Sequence, residues 1–278
     1  MNPIKLYEVG GKVRDELMGK SSNDVDYVIV GSTIEEVKEY LDQNGFITFA
    51  FKPECNTFRC KFPKNHPTYP NLLADFTVVL GDLIDDLKRR DFTINAIAKD
   101  VETGEIIDPL YGQYHMGYGL LICPSDSMET LKSDPIRIIR ALRFCYLFDF
   151  SMDNELKWAI IKFNPEDFFI GKTDRLVREL KKLDLTGKVF VFNQLKELNE
   201  PIFNWIDSNI KLTPSKRNGS NQKKMIDKDF EQIALILEEA QRFGLRWEVE
   251  QTAIKEIKDN PDIDPVQAYE NAYGDWIK

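Results

Sequence analysis

Residues 9–30 read VGGKVRDELMGKSSNDVDYVIV, and the reading of the last seven, DVDYVIV, decides the fold. They are rich in β-branched and aromatic residues, the composition of a strand. Side chains of an extended strand alternate, so Asp24 and Asp26 project to one face while Val25, Tyr27 and Ile29 project to the other. Two carboxylates about 7 Å apart on one face suit one divalent ion or a pair of them. Mg2+ takes hard oxygen ligands, commonly one or two carboxylates together with substrate phosphates. A pair of such ions can activate an attacking hydroxyl and stabilise a departing phosphate. Ahead of the strand, Gly10 and Gly11 carry no Cβ and let the backbone approach a polyphosphate closely. The helix that follows directs its first N–H groups at anions, and Arg14, one turn in, can hold a phosphate with two hydrogen bonds. A double glycine or a DxD triplet alone is weak; their order and separation carry the reading.

Outward from this stretch, LYEV, ITFAF, TFRCKF and LLADFTVV predict further strands through residue 110. VRDELM, TIEEVKEYLDQNG and FTINAIA interleave as helices, the second with Thr33 as N-cap and Gly45 just past its end. From Ser133 the pattern turns helical. SDPIRIIRALRFCYLF opens on a capping residue and puts Pro135 in the first turn, where a helix tolerates it. Further helices are predicted over 153–163, 173–184, 225–243, 247–258 and 265–276, and KLTPSKRNGSNQKK predicts a linker near 211–224. The fold class is α+β: a mixed α/β head over 1–125, an all-helical neck and body over 126–210, and a short helical region over 211–278.

The 278 residues are 42% hydrophobic and 30% charged, enough apolar material for a core. No apolar run approaches the roughly 18 residues of a membrane span, so no membrane partner is expected. MNPIKLYEVGG has no apolar segment before a small-residue cleavage site, and the location is read as cytoplasmic. Four cysteines (Cys55, Cys60, Cys123 and Cys145) form no CxxC pair, and the two histidines, His66 and His115, lack partners at ligand spacing. Zinc and disulfides are therefore not expected, and Cys55 and Cys60 read as buried thiols. A net charge of −9 argues against an unspecific coat on nucleic acid but leaves room for local basic patches. These are KRRD (88–91), RIIRALRF (137–144), KTDRLVRELKK (172–182) and KRNGSNQKK (216–224). For the last two, an ordinary Lys-rich surface is an equal reading.

Several motifs follow in one order: GGKVRDELMG (10–19), DVD (24–26), RRDFTINAIA (89–98), IIDPLYG (106–112), DPIRIIRALRF (134–144) and RLVRELKKL (175–183). Through them residues 1–185 resemble the class II tRNA nucleotidyltransferases, or CCA-adding enzymes, and the bacterial poly(A) polymerases of the DNA polymerase β superfamily. The resemblance implies a polymerase β-like sheet in the head and Asp24 and Asp26 as catalytic Mg2+ ligands. It also implies a third catalytic carboxylate, for which Asp75 in LLADFTVV is the best match, although DFTVV departs from the family's EVATF and lacks its following arginine. Gly11, Arg14 and Arg90 match nucleotide-contacting positions. Asp91 has two readings, an acceptor for ribose hydroxyls or a cap on the helix starting at Phe92. Arg89 is expected to pair with Asp85 or Asp86. Only LGDLIDDLK separates the Asp75 strand from RRDFT, where the family has a longer loop, and KPECNTFRCKFPKNHPTYPN (52–71) is a candidate to supply part of that loop's function.

Phosphoryl transfer asks a protein mainly for positioning and charge cancellation. In DPIRIIRALRF, Asp134 and Arg137 at i and i+3 are expected to share a helix face with Arg140 and Arg143. Asp134 can accept from the exocyclic amine that C and A carry, while Arg137 donates to the adjacent ring acceptor. U and G would leave such groups unpaired, which makes rejection strong. The resemblance assigns all four residues to nucleotide binding; the simpler reading has Arg140 or Arg143 tie the neck to the head by an ion pair. The implied activity is template-independent addition of C and A from CTP and ATP to tRNA 3′ ends. The partner is the tRNA acceptor stem, read by shape, with KRNGSNQKK and KTDRLVRELKK as candidates for its phosphates. A poly(A) polymerase or an A-only adding enzyme shares nearly all of these motifs. Transfer to another acceptor and a catalytically idle RNA-binding protein are the readings from other classes. The short C-terminal part fits relaxed tRNA selection or a homodimer.

Overall fold

The computed structural model describes residues 4–22, 25–168, 173–209, 245–260 and 263–277, with scattered positions between 232 and 243. Asp24, the 211–224 linker and much of the helix expected over 225–243 lie outside the described residues. Two compact units divide the chain, residues 1–137 with 148–160 and residues 138–147 with 161–278.

The first unit is built on one sheet of seven strands: β1 (Lys5–Val9), β2 (Val25–Val30), β3 (Ile47–Lys52), β4 (Thr57–Lys61), β5 (Leu73–Val79), β6 (Ala98–Asp100) and β7 (Ile106–Ile107). Their order is β3-β4-β5-β2-β1-β6-β7. Only β2 and β5 run parallel in it. A parallel neighbour requires a crossover, and here α1's successor α2 (Ile34–Gln43) and the β3–β4 hairpin provide it; α1 itself spans Gly11–Leu17. α2 forms where its signals stand. Thr33 Oγ1 accepts from Glu36 N while Glu36 Oε2 accepts from Thr33 N, a complete capping box, and Gly45 follows at φ 74°. Val37 and Leu41, one turn apart, are fully buried and pack on the sheet face that carries Tyr27, Ile29, Phe58 and Phe76. Tyr27 stacks on Phe76 with ring centroids 4.8 Å apart.

The other face carries Val9 and Val28, covered by Leu83 and Leu87 of α3 (Leu83–Lys88). The alternation that sends Tyr27 and Phe76 into the first core therefore sends Asp26 and Asp75 to this second face. The first unit also holds α4 (Gly112–Gly117), α5 (Ser127–Ser133) and a two-stranded pair, β8 (Leu120–Leu121) with β9 (Ser151–Met152). α6 (Ile136–Phe148) and α7 (Asn154–Lys162) contribute to both units. The other described elements of the second unit are helices: α8 (Pro165–Phe168), α9 (Thr173–Leu180), α10 (Leu185–Leu198), α11 (Glu200–Asn209), α12 (Arg246–Asp259) and α13 (Pro265–Trp276). Ala253 of α12 and Ala268 and Ala272 of α13 are fully buried in one cluster with Tyr269. Among the described residues no helix is long and apolar enough to cross a membrane.

Three expectations are corrected. FTINAIA is no helix: Thr93–Asn95 make one 3-10 turn and Ala98 begins β6. Phe92, Ile94, Ala96, Ile97 and Ala98 are all fully buried, so the run is enclosed on all sides and has no amphipathic face. The neck helix does not open at Ser133. Ser133 closes α5, its hydroxyl donating to Thr130 O at 2.8 Å. Asp134 is extended at φ −153°, ψ 94°, as a residue preceding a proline prefers, and α6 begins at Ile136. Cys55 is exposed on a 3-10 turn (Pro53–Cys55), whereas Cys60 is buried; both thiols are free.

Candidate active site

Strand register sets the centre of the site. Asp26 of β2 stands directly beside Asp75 of β5, and Asp75 beside Arg59 of β4. The three lie in one row on one face, each step across the sheet being about 4.8 Å. Asp26 is exposed and Asp75 half-buried. Arg59 donates from Nε to Asp75 Oδ1 at 2.8 Å and from Nη2 to Oδ2 at 3.2 Å. On the opposite flank Val9 pairs with Asp26, and the chain turns at Gly10 with φ 76° and ψ −140°, a conformation essentially confined to glycine. A Cβ on Gly10 would lie 3.1 Å from Arg90 Nη1 and 3.6 Å from Asp26 Oδ2. The missing Cβ thus leaves room for both Arg90 Nη1 and the Asp26 carboxylate beside the turn. Two carboxylates in register on an accessible face, with a guanidinium alongside, have the donor chemistry for a hard divalent cation carrying a phosphate. Among the described residues no group of three or more His, Cys, Asp or Glu is placed to hold a metal ion, and Asp24 lies outside them.

Arg90 is aimed by Asp86. The fully buried Asp86 carboxylate accepts from Arg90 Nε and Nη2 at 3.0 and 2.8 Å and from Arg89 Nη2. Arg89 pairs as expected, and the same carboxylate also takes Arg90, because α3 puts Asp86 three and four residues ahead of them. Asp91 Oδ1 accepts from Phe92 N at 2.8 Å and Asn95 Nδ2 at 2.9 Å, which braces the 3-10 turn from the residue before it without capping it. Asn95 Oδ1 in turn accepts from Arg14 Nη1 at 2.6 Å. The Arg14 guanidinium also binds Asp15 Oδ1 and lies 4.7 Å over the Phe148 ring. Arg14, expected to grip phosphate, is therefore buried and fastens α1 to the RRDFT turn through Asn95, a residue to which sequence reasoning gives no role.

IIDPLYG has a structural reason. Asp108 accepts from Gly112 N at 2.7 Å and Gln113 N at 2.8 Å, which starts α4. Thr93 Oγ1 bonds His115 Nδ1 at 2.9 Å, and burial lowers the His115 pKa. Gly112 touches the RRDFT turn: a Cβ there would run into Thr93 O and lie 2.8 Å from Ile97 Cγ1. Gly112→Ala is expected to cost about 1–3 kcal/mol, read as a lower denaturation midpoint with unchanged slope.

The model of the poly A polymerase head domain matches residues 6–121. Residues 6–121 are a head domain of this family. It is 33% identical over 191 residues to a multifunctional CCA protein of Nitrosomonas europaea, a match covering 63% of this chain and 42% of that protein. It is 33% identical over 223 residues to an A-adding tRNA nucleotidyltransferase of Aquifex aeolicus, covering 73% of this chain and 26% of that protein. Among solved structures, a CCA-adding enzyme with CTP superposes with TM-score 0.59 at 23% identity, covering 98% of this chain and 63% of that one; this shows the fold alone. The chain spans less than half the length of the two relatives named above. A mixed sheet followed by helices is the architecture of that solved structure, as the sequence leads one to expect.

Outside the matched head domain, Arg137 Nη1 donates to Thr130 O and Ser133 Oγ, each at 3.0 Å, and Nη2 to Arg89 O at 2.7 Å. It ties α5 and the start of α6 to the end of α3. Asp134 sits before α6, so it shares no helix face with Arg137; the link is Arg137 N donating to Asp134 O at 3.0 Å. In the second unit Arg140 and Arg143 both pair with Glu179 of the RLVRELKKL stretch, at 3.4 and 3.0 Å, as does Lys182 at 2.9 Å. Sequence reasoning names that stretch without giving Glu179 a role. Burial works to raise the Glu179 pKa, but the Lys182 hydrogen bond and the two arginines outweigh it and hold it below the usual carboxylate range. A depressed folded-state pKa contributes stability above the unfolded value, lost as pH falls through the folded one. The melting temperature is expected to drop below about pH 4.5, and Glu179→Gln to flatten that part of the profile; an unchanged slope counts against the assignment.

Proposed function

We propose that the chain is a template-independent nucleotidyltransferase that adds C and A from CTP and ATP to tRNA 3′ ends and releases pyrophosphate. The observation that carries this reading is the register that sets Asp26 beside Asp75, with Arg90 facing Asp26 across Gly10. In it Asp24 and Asp26 hold Mg2+, and Asp75 serves as the third catalytic carboxylate. When bound, the cation polarises the attacking 3′-hydroxyl and spreads the charge of the reacting phosphate. The chain's own part is positioning. Arg90, fixed by Asp86, neutralises triphosphate charge, and the Gly11 backbone lies close to the phosphates. Arg14, through Asn95, holds the RRDFT turn that carries Asp91, an acceptor for the ribose hydroxyls. Asp134 and Arg137 choose C and A, while Arg140 and Arg143, locked on Glu179, hold the selecting helix. Residues 211–278 supply contacts to the acceptor stem, in the cytoplasm.

Likeness to an A-adding enzyme supports a narrower reading, addition of the terminal A only. Three tRNA transcripts, ending before CCA, after C and after CC, incubated with Mg2+ and each NTP singly and then with CTP plus ATP, separate the two. Addition that stops at CCA is the expected result. A added only to the CC end establishes the narrower activity, long A tails make the protein a poly(A) polymerase, and no incorporation from any nucleotide overturns the proposal.

A further inference from the structure

Asp75 lies between two claimants. On one side the register sets it beside Asp26; on the other, Arg59 takes one donor to each of its oxygens, at 2.8 and 3.2 Å. Arg59 stands on the β3–β4 insertion between the two strands that bear Asp26 and Asp75. We infer that Arg59 is a positioning residue that competes with the divalent cation for Asp75, so that the cation is held firmly only once a nucleotide triphosphate draws the guanidinium away. This rests on the nucleotidyltransferase reading.

The exposures of the two ion pairs at the site show why this pair can exchange. Asp86 is wholly buried beneath Arg90 and Arg89, and parting Arg90 from it would leave one oxygen of a buried carboxylate without its two donors. The Arg59 side chain is 51% exposed and Asp75 22%. Both can be solvated after parting, so their pair is only weakly held. Charge points the same way. Asp26 and Asp75 about 5 Å apart repel each other and attract any divalent ion; Arg59 relieves the repulsion and lowers that attraction. A triphosphate brings its own oxygens, which suit a guanidinium at least as well as a carboxylate does. An arginine too far from the cation to compete for Asp75 would leave cation affinity unchanged.

The test is direct binding of Mn2+ to the full chain, followed by electron paramagnetic resonance without nucleotide. Arg59→Gln is expected to bind about tenfold more tightly than wild type, the effect of removing a unit charge about 6 Å from a divalent ion even at water's dielectric. Arg59→Gln combined with Asp75→Asn should return to within about twofold of wild type. Arg59→Lys, which keeps the charge but not the two-point grip, should fall between and serves should the glutamine variant not fold. Unchanged or weaker Mn2+ binding by Arg59→Gln overturns the role of Arg59 and leaves the metal site standing. Absence of saturable binding in every variant overturns both.

Discussion

Asp26→Asn is expected to lower kcat for nucleotide addition about a thousandfold, equivalent to about 4 kcal/mol of transition-state stabilisation, while leaving the fold intact. The substitution keeps size and shape and removes one negative charge from an exposed strand position. Exposed substitutions of this kind shift stability by about 0.5 kcal/mol or less. Loss of a carboxylate ligand weakens the cation and leaves the triphosphate to Arg90 alone, and a cation at phosphoryl transfer contributes several kcal/mol. Single-turnover incorporation at saturating nucleotide, beside a thermal melt, measures both halves. Activity within tenfold of wild type would remove Asp26 from the chemistry.

Gly10→Ala is expected to cost about a hundredfold in kcat/KM. Its backbone sits at φ 76°, ψ −140°, where a side chain costs about 1–3 kcal/mol. The added Cβ would also press on Arg90 Nη1 at 3.1 Å. Arg90 can yield, being the tip of a long side chain, but yielding takes it from the Asp26 carboxylate. A displacement of about 1 Å in a positioned charge is worth about 10² in rate. Gly11→Ala is the comparison, since a Cβ there meets nothing nearer than Arg14 Nη2 at 3.5 Å and no positive φ is recorded for it. A melting temperature lowered in Gly10→Ala and unchanged in Gly11→Ala is the expected mark of the strain, and equal melting temperatures would show that strain at Gly10 is not the cause.

What could be read from the sequence was local. Alternation in DVDYVIV and the β-branched and aromatic content of LLADFTVV place both carboxylates on strands, and Thr33 with Gly45 bounds α2, because each signal lies within a few residues. FTINAIA misleads because a fully enclosed apolar run has no face to betray its period. Asp134 misleads because the residue before a proline is held extended, which leaves it ahead of the helix whose face it is expected to share. The Asp26–Asp75–Arg59 row was beyond reach: it depends on the register of β5 with β2, more than forty residues back along the chain, and with β4 across the eleven residues 62–72, and no residue in LADFTVV announces its partner. The same holds for Asn95, whose value comes from Arg14 standing 81 residues away in sequence.

The most direct test of the account is the position of the cation itself. Crystals of the full chain with Mn2+ and a non-hydrolysable CTP analogue, mapped by anomalous diffraction, should show the ion about 2.1 Å from a carboxylate oxygen of Asp26 and in contact with the nucleotide's phosphates. An ion bound elsewhere, with the Asp26 carboxylate facing solvent and the phosphates held away from Arg90, would contradict it.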